Sequence, residues 1–410
     1  MKRLSGLCLV CTALFAVASL PSHAQQIAFE DVVRNLRNPD PELRISAVRL
    51  LREAKYPEGI VPMAAIVNDP VNEIQLEVIE AQLGFFLIQE VPKKRKVAFL
   101  VEVRANGRAV RAFEMGPLAV WPKPAPPELV KALLNAVDDE NGTVRLEAIY
   151  TLGVIGGQGI GEAESKQLIA ALDHYDPAVR AAAARVIGRL RVTSAGDSLI
   201  NAMNDSNAQV RYASMRALGE INEARALQAL TDQFNYYGKG EGAFSALDAL
   251  ARIAHPSSVD LFKAHLTDKD PYLRRAAAEG LGRAGYVSAK EALQTGATND
   301  SSEMVRVAMA FALKKQGQNY LGRMLDYVDH EQTAPQILAY LLELGPSIVP
   351  ELLPRVQEPG STSRRYLAQA LGALGDAGTI PVLSPLLQDR DREVVETATH
   401  AITRIKMRMQ

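Results

Sequence analysis

Few residues in this chain combine a type and a spacing that could do chemistry. A histidine beside a glutamate, His330-Glu331, offers two metal-ligating side chains, and it is the single such pair. His174, His255, His265 and His400 have no adjacent glutamate. A metal site needs several convergent ligands, so one pair predicts no metal. Gly238-Lys239-Gly240-Glu241-Gly242 has the glycine spacing of a phosphate-cradling loop, but no strand precedes it, and the turn beside Tyr236 and Tyr237 reads as a flexible aromatic turn. The chain contains no Gly-x-Ser-x-Gly elbow and no His-Glu-x-x-His helix. The two cysteines, Cys8 and Cys11, lie in the first 24 residues, so the remainder has no thiol nucleophile and no disulfide. Acids such as Asp248 and Glu279 read as solvated helix residues. No catalytic, cofactor or metal residue is assigned.

One combination does recur. An aliphatic-arginine pair is followed by alanine three residues on, leucine or isoleucine seven on and often glycine eight on. Val144-Arg145 leads to Ala148, Leu152 and Gly153; Val179-Arg180 to Ala183, Ile187 and Gly188; Leu273-Arg274 to Ala277, Leu281 and Gly282. Leu43-Arg44, Val210-Arg211, Val305-Arg306 and Arg364 head further copies. Four residues before the arginine stand Asp40, Asn141, Asp176, Asn207, Asp270 and Ser302, all residue types that cap a helix N-terminus. Pro41, Pro177 and Pro271 follow three of these caps, where a helix tolerates proline. Gly156, Gly285 and Gly375 read as helix stops. The period, roughly 31 residues, is that of a helical hairpin.

A helical hairpin cannot bury its apolar stripe alone; stacking does it, and stability becomes a sum over neighbours. The composition agrees, with 48% hydrophobic but only 6% aromatic residues. The expected fold is all-α, an α-solenoid of the armadillo/HEAT kind with a small β-hairpin insertion. Eleven hairpins are expected, over 28–55, 56–91, 127–157, 162–192, 193–223, 224–254, 255–285, 286–317, 318–345, 346–375 and 376–410. The organisation is then a leader over 1–24, repeats over 25–91, an insertion over 92–126 and a solenoid over 127–410.

These residues resemble the HEAT family, in the short bacterial form called phycobilisome-lyase HEAT-like. The resemblance implies that the turn residues form a structural ladder, here Asp40, Arg44, Arg145, Asp176, Arg180, Arg211, Asp270, Arg274 and Arg306. The deoxyhypusine hydroxylases, HEAT-like enzymes that hold iron through repeated His-Glu pairs, are similar in repeat type alone.

The insertion departs from the pattern. Val97–Val103 has strand composition, Asn106-Gly107 is the favoured pair of a two-residue hairpin turn, and Ala109–Met115 is read as the return strand. Lys93, Lys94, Arg95, Lys96, Arg104, Arg108, Arg111 and Lys123 against Glu102 and Glu114 give the insertion a charge of +6, leaving −9 on the rest of the chain after residue 24. With Trp121, the only tryptophan, it is a candidate partner surface or a brace between repeats. Tyr236 and Tyr237 are further candidates.

Lys2 and Arg3, the apolar run Leu7–Leu20 and Ser22-His23-Ala24 have the layout of a cleavable export signal, with cleavage expected after Ala24. The expected function is an exported, periplasmic or secreted, scaffold for a protein partner of unstated identity, with no enzymatic activity, no nucleic acid, no membrane span once the leader is removed and no cofactor. Two alternatives remain: a HEAT-like enzyme or ligand binder related to lyases and hydroxylases, and a binder of an anionic envelope polymer through the insertion.

Overall fold

The computed structural model describes residues 28–89, 91, 107–156 and 165–409. These residues form a run of antiparallel helix pairs. We number the inner row α1 (Pro41–Ala54), α2 (Asn72–Phe86), α3 (Arg108–Glu114), α4 (Gly142–Ile155), α5 (Pro177–Leu190), α6 (Ala208–Glu220), α7 (Gly240–Ile253), α8 (Pro271–Arg283), α9 (Glu303–Lys315), α10 (Ala334–Leu344), α11 (Ser361–Leu374) and α12 (Arg392–Arg408). A shorter helix, such as Pro127–Asn135, Gly196–Ala202 or Leu227–Tyr237, precedes each of these other than α3, before which residues 92–106 lie outside the described ones, and forms the outer row.

The caps explain where the inner helices begin. Asp40, Asn141, Asp176, Asn207, Asp270 and Asp391 each accept a backbone N–H two residues on, satisfying a donor that the first helical turn leaves unpaired. Ser302 stands at the same place in α9 without a side-chain cap bond. Behind the caps, the +7 and +8 positions set how closely successive helices approach. A Cβ at Gly219 would lie 2.8 Å from the Ala249 Cα, and one at Gly282 would lie 2.5 Å from the Ala312 Cα. Glycine there lets the backbones touch. The apolar stripe of each helix, for example Val179, Ala183, Val186 and Ile187, is fully buried against its neighbours and joins one continuous core.

The insertion departs from its expected form. Val97–Val103 and Asn106 lie outside the described residues. The segment read as a return strand is the helix α3, and among the described residues there is no strand, only an isolated bridge between Leu87 and Val120. Gly107 has φ −62° and ψ 160°, not the positive φ that a two-residue hairpin turn needs. The physical reason lies in the apolar spacing. Ala109, Val110, Ala112 and Phe113 are all buried, a helical face; a strand would have put Arg111 on the same side as Ala109 and Phe113. Helix α3 lacks a capping side chain of its own. The carboxylate of Glu147 in α4 accepts the Ala109 N–H at 3.0 Å instead, and a Cβ at Gly107 would collide with it. Phe113 then packs on Gly153 of α4.

After α3 the chain crosses to the far end of the array. Arg404 of α12 donates to the carbonyls of Leu118 and Val120 at 2.7 and 2.6 Å, and the Trp121 ring meets His400 edge-on at 6.1 Å. The solenoid therefore curls until its last helix touches a segment that follows its second hairpin. Burial among these carbonyls, with Arg408 nearby, pushes the Arg404 guanidinium down to about 10. Among the described residues no single helix is long and apolar enough to cross a membrane.

Candidate functional site

The ladder arginines define the register from which the site follows. Each reaches forward to the next hairpin rather than to the aspartate four residues before it. Arg44 holds Asp69 through two bonds of 2.8 and 3.0 Å, Arg180 holds Asp205 (2.6 and 2.9 Å), Arg274 holds Asp300 (2.9 Å twice) and Arg364 holds Asp389 (2.6 and 3.0 Å). The remaining guanidinium nitrogen donates to two carbonyls of its own turn, as Arg180 does to His174 and Tyr175. Asp40, Asp176 and Asp270 are caps. In three rungs a tyrosine hydroxyl replaces the carboxylate as acceptor: Tyr175 for Arg145 (3.0 Å), Tyr237 for Arg211 (2.6 Å) and Tyr327 for Arg306 (2.8 Å). The bond from Arg180 holds the Asp205 carboxyl below its ordinary range, and Arg364 does the same to Asp389. Burial would raise Asp300, but bonds from Arg274 and the Ser302 N–H outweigh it.

Counting from the ladder arginine, positions +1, +5 and +9 fall on one helical row. That row faces the inside of the curve, where residues of inner helices two apart touch: Arg283 of α8 meets Glu343 of α10 at 2.9 Å, and Arg189 of α5 donates to the Phe113 carbonyl of α3 at 3.2 Å. The inner row divides into two stretches.

From α7 to α10 it is filled by its own charges. Glu279 of α8 is 1% exposed and takes Arg275 at 2.7 Å, Arg283 at 3.1 Å and the Tyr340 hydroxyl. Asp248 of α7, 5% exposed, takes Arg252 at 2.8 Å. Burial alone would raise the Asp248 carboxyl; Arg252 more than reverses it, helped by Arg275 and Arg283. Burial pushes the Tyr340 hydroxyl well above its ordinary range, and the Glu279 charge adds to this. Tyr340 stacks on Phe311 at 4.1 Å. The expectation that Asp248 and Glu279 are solvated is thus corrected: curvature brings Tyr340 of α10 onto Glu279, and arginines pair both acids. Such a network holds the curve only while every member is satisfied.

From α3 to α6 the row lines an open groove of about 940 Å³. Arg111, Arg185, Arg189 and Arg216 line it with Tyr150, Tyr212 and Phe113, against Glu114 and Glu220. The Arg189 guanidinium lies over the Phe113 ring at 4.2 Å, and Arg185 over Phe113 and Tyr150 at 5.5 and 5.6 Å. Burial pushes Arg189 down and Glu220 up.

Of the residues singled out from sequence, Lys93, Lys94, Arg95, Lys96 and Arg104 lie outside the described residues. Arg108 pairs with Glu80 at 2.5 Å, and Arg111 faces the groove. Trp121 sits at the closure with α12. Tyr237 is a ladder acceptor whose ring covers Gly242, and Tyr236 beside it is 78% exposed. His330 bonds Glu303 at 2.9 Å while Glu331 turns to Arg365 at 2.8 Å, so the two do not converge. Among the described residues no group of three metal-ligating side chains comes together. Arg185, Arg189 and Arg216 were missed, although counting five and nine residues from each ladder arginine reaches them.

A HEAT-repeat family model matches residues 165–236 and 241–314, and a PBS lyase HEAT-like repeat model matches 363–389. Bilin biosynthesis protein PecF of Nostoc sp. is 32% identical over 160 residues, covering 36% of this chain and 92% of that protein. The uncharacterized phycocyanin operon protein Z of Pseudanabaena tenuis is 28% identical over 172 residues, 39% of this chain and 82% of that protein. Among solved structures, the complex of CpcE and CpcF of phycocyanin lyase from Nostoc sp. aligns with 19% identity over 75% of this chain and 98% of that one, at a TM-score of 0.36. With the arginine ladder, the capped inner helices, the two repeat models and the similarity to the Nostoc sp. PecF protein, the chain belongs to the HEAT-repeat family, in its PBS lyase HEAT-like form.

Proposed function

We propose that this chain is an exported scaffold that holds a protein partner on the inner face of its solenoid. The observation that carries the binding reading is the open groove between α3 and α6, in an array whose inner face from α7 to α10 is packed with its own side chains. Solenoid inner faces present extended surfaces suited to polypeptides. The export half of the proposal rests on the leader composition of residues 1–24. Affinity capture from an envelope extract of the source cell tests the binding half. A discrete protein is expected on the wild-type chain and not on an Arg185→Gln/Arg216→Gln variant. Capture that is indifferent to the groove would move the site elsewhere, with Lys93–Lys96→Gln as the next variant. N-terminal sequencing of the cell-derived protein tests export; a chain still beginning at Met1 would contradict it.

A second reading, a lyase-associated ligand site in the same groove, is favoured by the similarity to a bilin biosynthesis protein. Mixing the protein with an open-chain tetrapyrrole separates the two: a shifted visible spectrum supports the second reading, an unchanged one the scaffold.

A further inference from the structure

The groove's cations are all arginines, and they are unevenly compensated. Arg185 meets Glu114 at 3.5 Å and Arg216 meets Glu241 at 3.2 Å, both across half-open surface. Pairs of this kind contribute little and exchange readily for a better acceptor. Arg189 differs. It is partly buried, spends one donor on the Phe113 carbonyl, and among the described residues has no carboxylate within ion-pair distance. A half-desolvated charge without a carboxylate partner is costly, and the Arg189 guanidinium carbon lies 4.2 Å from the centre of the Phe113 ring. The groove continues past Arg189 and Glu220 into a second hollow of about 390 Å³ carrying Arg191, Arg252 and Arg283. Arg252 and Arg283 are neutralised by Asp248, Glu279 and Glu343. Around Arg189 the positive charge is thus offset in part by Glu220, whose carboxylate acts on it from beyond ion-pair distance.

We propose that the groove between α3, α5 and α6 takes a short acidic segment of the partner polypeptide, seating its carboxylates on Arg189, Arg185 and Arg216. The proposal rests on the scaffold reading and names the chemistry of what is held. Guanidiniums in a fixed plane match carboxylates through paired N–H donors. Tyr150 and Tyr212 give the flanking side chains of such a segment rings to lie on. A long polyanion such as nucleic acid suits the site less. Outside the insertion, the chain after residue 24 carries −9, a field that a long polyanion meets and a short segment entering the groove largely escapes through screening.

The test uses fluorescein-labelled octaglutamate, with octalysine and pyrophosphate as comparisons, followed by anisotropy on the full chain without its leader. Octaglutamate is expected to bind in a salt-weakened manner. The Arg185→Gln/Arg189→Gln variant should weaken it by about tenfold or more, roughly the loss of one charge-assisted contact. Glu220→Gln, which removes a competing carboxylate, should tighten it. Arg225→Gln, on a distant exposed pair, should leave it unchanged. Because Arg189 also packs on Phe113, Arg216→Gln serves as the variant that keeps the fold, checked by an unaltered thermal melt. No salt-sensitive binding, or binding equal in the groove variants, overturns the proposal. Pyrophosphate bound through the same arginines without octaglutamate overturns the polypeptide assignment. Failure of the two readings is distinguishable: partner capture that survives the loss of octaglutamate binding sinks this inference alone, whereas octaglutamate binding without any captured protein counts against the scaffold.

Discussion

The arginine ladder is the device that fixes one hairpin on the next, and Arg180 is the rung to break. Its guanidinium makes two bonds to Asp205 in the following hairpin and two to carbonyls of its own turn. Asp205 in turn accepts the Asn207 N–H at 2.7 Å, at the cap of α6. The two side chains are 14% and 11% exposed, so solvent screens the pair only in part. Replacing Arg180 by methionine keeps the stem but leaves a carboxylate and two carbonyls short of a donor. For a largely buried charge-assisted pair we expect a loss of about 2–4 kcal/mol. Arg211→Met removes a bond to a neutral tyrosine hydroxyl instead and should cost less, about 1–2 kcal/mol. Urea unfolding followed by circular dichroism reads both, taking the first transition, because a solenoid need not unfold in one step. A cycle with Asp205→Asn isolates the pair and should give a coupling of about 1–3 kcal/mol. The sign of its pH dependence is set by Asp205, which Arg180 holds below its ordinary value. The coupling is complete above the unfolded aspartate value of about 3.9 and disappears as pH falls through the lower folded value. Additive single losses, or a coupling unchanged at pH 2, would refute the ladder argument.

Three further outcomes follow from particular contacts. Gly282→Ala should cost about 1–3 kcal/mol in a thermal melt, because its Cβ meets the Ala312 backbone, whereas Gly84→Ala in α2, with nothing within 4 Å, should be neutral or slightly stabilising. Glu279→Gln leaves Arg275 and Arg283 facing each other across a buried site and should cost about 3–5 kcal/mol by urea unfolding, with Tyr340→Phe costing about 1–2. Arg404→Ala should release the contact between α12 and residues 118–121, red-shifting the emission of the lone Trp121 while the helix content stays the same; an unmoved spectrum would mean the closure does not depend on that arginine.

What the sequence made legible is what every hairpin repeats. The caps at Asp40, Asn141, Asp176, Asn207 and Asp270, and the arginine four residues later, recur because each junction solves the same problem of unpaired helix-end groups. The return strand expected over Ala109–Met115 is a helix instead, because the buried set Ala109, Val110, Ala112 and Phe113 carries helical spacing. The acceptor of each ladder arginine is not legible from local spacing. Asp40 and Asp176 stand near Arg44 and Arg180 in sequence, but their side chains are engaged as caps, and the carboxylate 25 residues on supplies the pair. The inner row was the hardest to see. Its +5 and +9 residues differ from hairpin to hairpin, and the burial of Glu279 comes from Tyr340 and its neighbours, two hairpins away. Curvature, not local periodicity, decides which polar side chains lie inside.

The most direct test of the groove as the docking site is photo-crosslinking in the source cell. A benzophenone amino acid would replace Tyr212, which lines the groove, or Tyr175, which is 79% exposed on a ladder turn. The account predicts one discrete protein adduct from position 212 that disappears when Arg185 and Arg216 are also changed to glutamine, and none from position 175. The same adduct from both positions, or a discrete adduct from position 175 alone, would contradict it.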